Sequence, residues 1–336
     1  MKKRNLIISI LIFVFLIFIT LYAIFLRMDY KLLLKTYTMI NINYLHILVV
    51  VMFLYFFLQG VYSKIMLKTL NTKISIFRGM FYSMIEFLFS AITPGSSGGQ
   101  PAVYYCMTKD KIAGSKVLIT LILNTIMFKL FFVVFGIIIL IFRSDLVYGH
   151  GFLITVLFFV GLLLDLFLII MYYLLMFNNK IIKFLLRIFY KFVNNFKKNK
   201  IDYEVKIKET VDKYSTNVSY IKKNKLTVFK CTIITFVQRL LMFSVAFIIY
   251  KSLGLNGETP INIVLAQLFT QSSIEAIPLP GGTGAIEIVI NEVMYGLFGE
   301  YALIATLFIR TVTFYAPLLI IIIIFSIFGR RYFHKE

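Results

Sequence analysis

Seven charged side chains stand in segments that are otherwise apolar enough for a membrane interior. They are Glu86, Lys129, Asp165, Arg239, Glu275, Glu287 and Arg310. A charge at the centre of a membrane helix costs about 2.5–3.5 kcal/mol on insertion scales, so it normally faces the protein interior and marks a pathway or a pair. For any one of them, a structural ion pair inside the protein is as good an interpretation as a functional role. Arg310, for example, would pair with Glu275 or Glu287.

Arg239 and Arg310 are the stronger candidates for contact with a ligand. A planar guanidinium matches phosphate oxygens bidentately and stays protonated when it is desolvated. Pro317 has no N–H, so it leaves the carbonyl of Thr313 on the last helix free to accept another bond. We therefore expect the two arginines to clamp a lipid phosphate. The predicted lipid- or substrate-binding set is completed by Lys129, Gln238, Glu86, Gln100, Glu275, Glu287 and Thr283.

Two glycine- and proline-rich breaks, at residues 93–101 and 278–287, interrupt membrane-length apolar stretches. Non-helical backbone survives in a bilayer only where it packs in protein or lines a wet cavity, and a corresponding pair of breaks points to a transporter's binding site. The glycines alone would also suit close helix packing, but the adjacent prolines favour real breaks. The break residues are predicted to be Pro94, Gly95, Gly98 and Gly99 in the first, and Pro280, Gly281, Gly282 and Gly284 in the second.

Composition places the chain in a membrane. Of its 336 residues 60% are hydrophobic and 17% aromatic, well above the apolar share of soluble domains. The net charge of +20 is read by position along the chain and predicts no nucleic-acid partner. Cys106 and Cys231 form no CxxC pair, and neither a phosphate-binding loop nor a hydrolytic triad is visible, so we expect no metal, no cofactor and no catalytic residue.

The predicted fold is an all-α polytopic membrane protein, a single domain over residues 1–336. Two re-entrant hairpins, near residues 79–116 and 262–299, place most Lys and Arg on the cytoplasmic side with both termini, as the positive-inside rule requires. The halves, 1–142 and 152–328, then become inverted copies, and a basic cytoplasmic loop spans residues 177–227. The six predicted full spans are 6–26, 44–62, 117–142, 152–176, 228–250 and 301–328.

The break motifs, Gln238-Arg239, Glu287 and Arg310 together resemble the transmembrane region of lysylphosphatidylglycerol synthases, the flippase-like domain of the multiple peptide resistance factor. The resemblance implies a multi-pass protein of the bacterial cytoplasmic membrane that binds or moves a phospholipid such as phosphatidylglycerol or its lysyl form. Gln100 stands where many members carry Glu, so this chain lacks a charge at that position. The chain stops at Glu336, and we expect no lysyltransferase domain.

Three function classes remain open from the sequence. The first is a lipid translocase or lipid-binding protein, whose partner is an anionic membrane phospholipid. The second is a phosphatidylglycerol lysyltransferase or another lipid-modifying transferase, acting in lipid metabolism and antibiotic resistance. The third is a secondary transporter of a small anion. A homo-oligomer is also left open.

Overall fold

The computed structural model describes residues 36, 40–184, 187, 203–275, 277 and 285–328. The regular structure of these residues is helical throughout, which confirms the predicted all-α polytopic class. Five of their helical stretches are long and apolar enough to cross a membrane. The predicted first span, residues 6–26, lies outside the described residues. The helices are α1 (Ile42–Thr69), α2 (Ile76–Ala91), α3 (Gly99–Lys109), α4 (Gly114–Phe142), α5 (Ser144–Tyr148), α6 (Phe152–Phe177), α7 (Tyr203–Lys223), α8 (Lys225–Ser252), α9 (Pro260–Ile274), α10 (Ala285–Phe298), α11 (Ala302–Arg310) and α12 (Ala316–Phe328).

The first predicted break interrupts the chain between α2 and α3. Residues Pro94–Ser96 form one 3-10 turn, in which Gly95 has a φ of 57°, a backbone conformation that glycine adopts without a steric cost. Gly98 and Gly99 lead into α3, which packs back against α2 as a helical hairpin. In the second half α9 and α10 also pack against each other. The predicted break residues Pro280, Gly281, Gly282 and Gly284 lie outside the described residues, and the re-entrant course of both hairpins stays a prediction.

The contacts between helices repeat from one half of the chain to the other. α1 packs against α2, and α8 packs against α9; α3 packs against α4, and α10 packs against α11. Each hairpin also reaches the last spanning segment of the other half, α2 against α12 and α9 against α4. The two halves meet most directly where α1 lies along α8. Two related halves would give such a pattern, and the inverted repeat of the halves stays a prediction.

Part of the predicted basic loop 177–227 is helical. α7 buries Ile207, Val211, Tyr214, Val218 and Ile221, which recur every three or four residues along one face. These side chains pack against apolar residues of α1, α4 and α8. No helix was predicted at residues 203–223, because the many lysines there mask an apolar stripe that is wide enough to dock a helix.

The last predicted span, 301–328, is helical but irregular. A π-helical turn, Thr311–Tyr315, follows Arg310 directly and separates α11 from α12. Pro317 supplies no N–H for the carbonyl four residues before it, so an α-helical bond is missing at this point. Such single π turns are frequent at functional sites, and this one places aromatic side chains beside Arg310.

Candidate functional site

A buried charge cluster joins α4 of the first half to α6 and α9 of the second half. The Lys129 ammonium on α4 lies 2.8 Å from Asp165 Oδ1 on α6 and donates a hydrogen bond to Glu275 Oε1, just after α9. The Asp165 side chain has no exposed surface, and that of Glu275 is 18% exposed. Apart from the ammonium, neither Asp165 oxygen has a hydrogen-bond partner among the described residues, and the same holds for Glu275 Oε2. One cation therefore serves two carboxylates.

A close backbone approach brings the two carboxylates together. A Cβ at Gly161 on α6 would overlap the carbonyl oxygen of Ser272 on α9, so only glycine allows this contact. Asp165 follows Gly161 by one helical turn, and Glu275 follows Ser272 by about one turn. The short contact between α6 and α9 thus sets both acidic side chains against the same lysine.

A second ion pair joins the second hairpin to the last span. Arg310 Nε donates to Glu287 Oε1 at 2.8 Å, and the Tyr315 hydroxyl donates to the same oxygen at 2.8 Å. The side chains of Arg310 and Glu287 are only 7% and 3% exposed. The guanidinium carbon also lies 4.3 Å from the centre of the Phe314 ring. This is the ion pair that the sequence left open as an alternative to a ligand contact.

Arg239 on α8 is held by aromatic rings. Its guanidinium carbon lies 4.0 Å from the centre of the Phe128 ring and 5.5 Å from that of Tyr55. Nη1 donates to the Tyr55 hydroxyl at 3.0 Å, while Nε is buried without a hydrogen-bond partner. Glu86 lies close enough to attract this charge, but no ion pair within 4 Å joins Arg239 to a carboxylate among the described residues. The cation is oriented but not neutralised by a direct partner.

Polar side chains surround Glu86 in a small pocket between α1, α2, α3 and α4. The pocket has room for about one water molecule, and Gln59, Ser63, Ser83 and Asn124 are among the residues that line it. Gln59 Nε2 donates to Asn124 Oδ1 at 3.1 Å, and Gln59 Oε1 has no partner in the described part of the chain. Such a group, at the depth of the spanning helices, suits bound water.

Two predicted glutamines tie helices together near these groups. Gln238 Nε2 donates to the Tyr55 carbonyl at 3.0 Å, which fixes α8 against α1 one residue before Arg239. Gln100 Nε2 donates to Thr125 Oγ1, which fixes α3 against α4. Both glutamines therefore have a positioning role in this geometry.

Comparison with known proteins agrees with the fold. The family model described as lysylphosphatidylglycerol synthase TM region matches residues 6–321. The chain belongs to this family. No curated protein and no solved structure matches it. As a member of the lysylphosphatidylglycerol synthase TM-region family, the chain is a multi-pass membrane protein.

The structure brings together some of the predicted site residues of this family member and separates others. Lys129 and Glu275 share one cluster, Glu287 and Arg310 another, while Arg239 lies with Glu86 and Gln238. Thr283 lies outside the described residues.

Sequence reasoning noticed Asp165 only as a charge and did not include it in the site. Its partnership with Lys129 is not visible, because 36 residues separate the two. It also missed Tyr55 and Phe128, because aromatic residues on apolar spans carry no distinguishing signal.

Proposed function

We propose that the chain binds a phosphate-bearing membrane lipid, such as phosphatidylglycerol or its lysyl form, and moves it between leaflets of the bacterial cytoplasmic membrane. The observation that carries the proposal is the state of Arg239. Of the three cations predicted at membrane depth, Lys129 and Arg310 are bound directly by carboxylates, whereas Arg239 is held by aromatic rings and a hydroxyl. A guanidinium that is held in a fixed orientation and donates one hydrogen bond to the protein has further N–H groups with which to bind an anion.

The surroundings of Arg239 favour a lipid over a soluble anion. Val237 and Leu240, on the same helix, are 44% and 37% exposed on the outside of the described bundle, where acyl chains would lie. A headgroup phosphate beside Arg239 could keep its tails against this apolar surface. A small soluble anion would gain nothing from these side chains.

The guanidinium geometry sets the expected contact. Stacking on Phe128 fixes the plane of the group, and the hydrogen bond to Tyr55 fixes its rotation. A planar fork of this kind can meet two phosphate oxygens with its remaining N–H groups, which a lysine ammonium cannot do bidentately. We therefore place the headgroup contact on Arg239, with Arg310 held in the neighbouring ion pair.

The test compares Arg239→Gln and Arg239→Lys with the unchanged chain in liposomes that contain fluorescent phosphatidylglycerol. We expect Arg239→Gln to abolish most of the protein-dependent movement of the lipid between leaflets, and also to reduce the phosphatidylglycerol that copurifies. Arg239→Lys keeps the charge and loses the fork, so it should retain only part of both signals.

The matched control is Lys230→Gln, which removes one positive charge from the same helix. Lys230 is exposed and lies nine residues before Arg239, on the opposite side of α8. It should leave both signals intact. Movement and retention that are equal in Arg239→Gln and the unchanged chain would refute the assignment of Arg239. Lysyl transfer to phosphatidylglycerol by the purified chain would instead favour the enzyme interpretation.

A further inference from the structure

The cluster of Lys129, Asp165 and Glu275 has one more carboxylate than ammonium groups, and the proposed lipid contact at Arg239 does not involve it. With all three groups ionised, its net charge is −1 in a place where Asp165 has no contact with solvent. Apart from the Lys129 ammonium, no described residue offers a hydrogen bond to either Asp165 oxygen or to Glu275 Oε2. An unpaired buried carboxylate is strongly unfavourable, so two carboxylates around one ammonium tend to hold one proton between them.

No other charged group of the described helices compensates this imbalance. Around α6, α4 presents Lys129 and α9 presents Glu275, and these two are the charges that act on Asp165. α5 meets α6 at Thr155, and α7 meets it at Phe177, about 15 Å and 18 Å along the helix from Asp165.

Charged groups at these two meeting points have other contacts. Asp145 of α5 is bound by Arg143, and Lys222 of α7 lies over Phe177. α8 and α10 also pack against α9. Their nearest membrane-depth charges are Arg239, which bonds to Tyr55, and Glu287, which bonds to Arg310.

The missing charge is better supplied by a proton than by a metal cation. The Lys129 ammonium already occupies the position between the two carboxylates, where it would repel a sodium ion. A proton needs no coordination shell and can sit on either carboxylate while the other keeps the ion pair with Lys129. Glu275 is the more exposed of the two carboxylates, so it offers the route for exchange with water.

We propose that Lys129, Asp165 and Glu275 form a site for one exchangeable proton, and that its occupancy couples lipid movement to a proton gradient. The proton transfers from water on one side of the membrane to one of the carboxylates, and it is later released to water on the other side. No other reactant is needed. Glu275 ends α9, which packs against both α6 and α10, and a change in its ion pair therefore acts on the second hairpin. The coupling, but not the proton site itself, rests on the proposed lipid function.

Infrared difference spectroscopy of the full chain in nanodiscs tests the proton site directly. Protonated carboxyl groups are followed by their C=O stretch as the pH is changed. We expect the unchanged chain to show one titrating carboxyl that is lost in Asp165→Asn and in Glu275→Gln, because each leaves one carboxylate for Lys129. Asp145→Asn is the matched control: hydrogen bonds from Arg143 hold the pKa of this exposed carboxyl below its ordinary value, so it stays ionised in the range of interest.

Three outcomes would overturn the proton site. The first is a titrating band that persists in both variants. The second is a band that disappears only in Glu86→Gln, which would place the proton on the polar pocket. The third is failure of both single variants to fold, which would show that Lys129 requires two ionised partners at once.

The coupling is tested by the rate of movement of fluorescent phosphatidylglycerol in liposomes with an imposed pH gradient. The unchanged chain and Asp145→Asn should respond to the direction of the gradient, and Asp165→Asn and Glu275→Gln should not. A response to a sodium gradient alone, or movement that ignores the pH gradient in the unchanged chain, would refute the coupling. Absence of any lipid movement in the unchanged chain would instead refute the proposed function, and the infrared titration then decides the proton site alone.

Discussion

The buried ion pair between Arg310 and Glu287 shows how a single membrane-depth charge is tolerated. Both side chains are almost inaccessible, and the Tyr315 hydroxyl adds a hydrogen bond to the same carboxylate oxygen. Because each group neutralises the other, neither needs solvent or lipid headgroups around it. Removing one partner leaves the other as an isolated buried charge, which is more damaging than removing both.

Substitution of Arg310 should therefore act on stability. We expect Arg310→Gln to lower the free energy of unfolding by about 3–5 kcal/mol, because it leaves Glu287 without its cation. The double variant Arg310→Gln with Glu287→Gln should recover most of that loss. The measurement is thermal unfolding of the purified variants in detergent.

Lys251→Gln provides the control for this comparison, since Lys251 bonds to Asn256 at the exposed end of α8. It removes the same charge at a cost of about 0–1 kcal/mol. An Arg310→Gln variant as stable as the unchanged chain would show that Glu287 does not depend on Arg310, and would return Arg310 to the set of candidate ligand contacts.

Close helix packing, at the scale of elements, decides where the charge cluster forms. α6 can lie against α9 only because Gly161 has no side chain in front of the Ser272 carbonyl. Small residues at helix contacts are the usual means of close approach in membranes, where water does not drive helices together. The same contact sets the distance between Asp165 and Glu275.

Gly161→Ala should push α6 and α9 apart. Its Cβ meets backbone rather than a flexible side chain, so we expect a loss of about 1–3 kcal/mol in the free energy of unfolding. Gly296→Ala on α10 is the matched control, because nothing lies within 4 Å of its Cβ position. That variant should be neutral or more stable by up to about 1 kcal/mol. Equal melting temperatures for the two variants would contradict a tight contact at Gly161.

At the scale of the whole molecule, the proposed topology depends on charge and on the two hairpins. Both α2 with α3 and α9 with α10 form packed pairs, as a re-entrant course requires. The charge rule then places Lys111, after the first pair, in the cytoplasm, and Glu300, after the second pair, outside.

Cysteine labelling from the two sides of the membrane tests this arrangement. Cysteine at position 111 should react from the cytoplasm only, and cysteine at position 300 from outside only. Native Cys106 and Cys231 are both buried, so the background should be low. Reaction of position 111 with an impermeant reagent in intact cells would show that the first hairpin crosses the membrane.

The sequence by itself determined the membrane class, the family and four of the spans. Long apolar runs leave no other stable conformation in a bilayer, and for this reason α4, α6 and α8 were predicted to within about three residues at each end. α1 was predicted as well, but it extends seven residues beyond its predicted end at residue 62. The break in the helix at Gly95 was also predicted from the sequence, because a proline next to several glycines disfavours a continuous helix. α7 was not predicted, because its five lysines mask an apolar stripe of the same size.

Only the tertiary structure decided which charges meet. Lys129, Asp165 and Glu275 come from three helices far apart in sequence, and their contact depends on the approach of α6 to α9 at Gly161. In the same way it paired Arg310 with Glu287 and left Arg239 on aromatic rings. Hydropathy reports how deep a residue lies but not the direction in which its side chain points. Whether a buried charged side chain is neutralised by a partner or is available to a ligand therefore depends on how the helices pack.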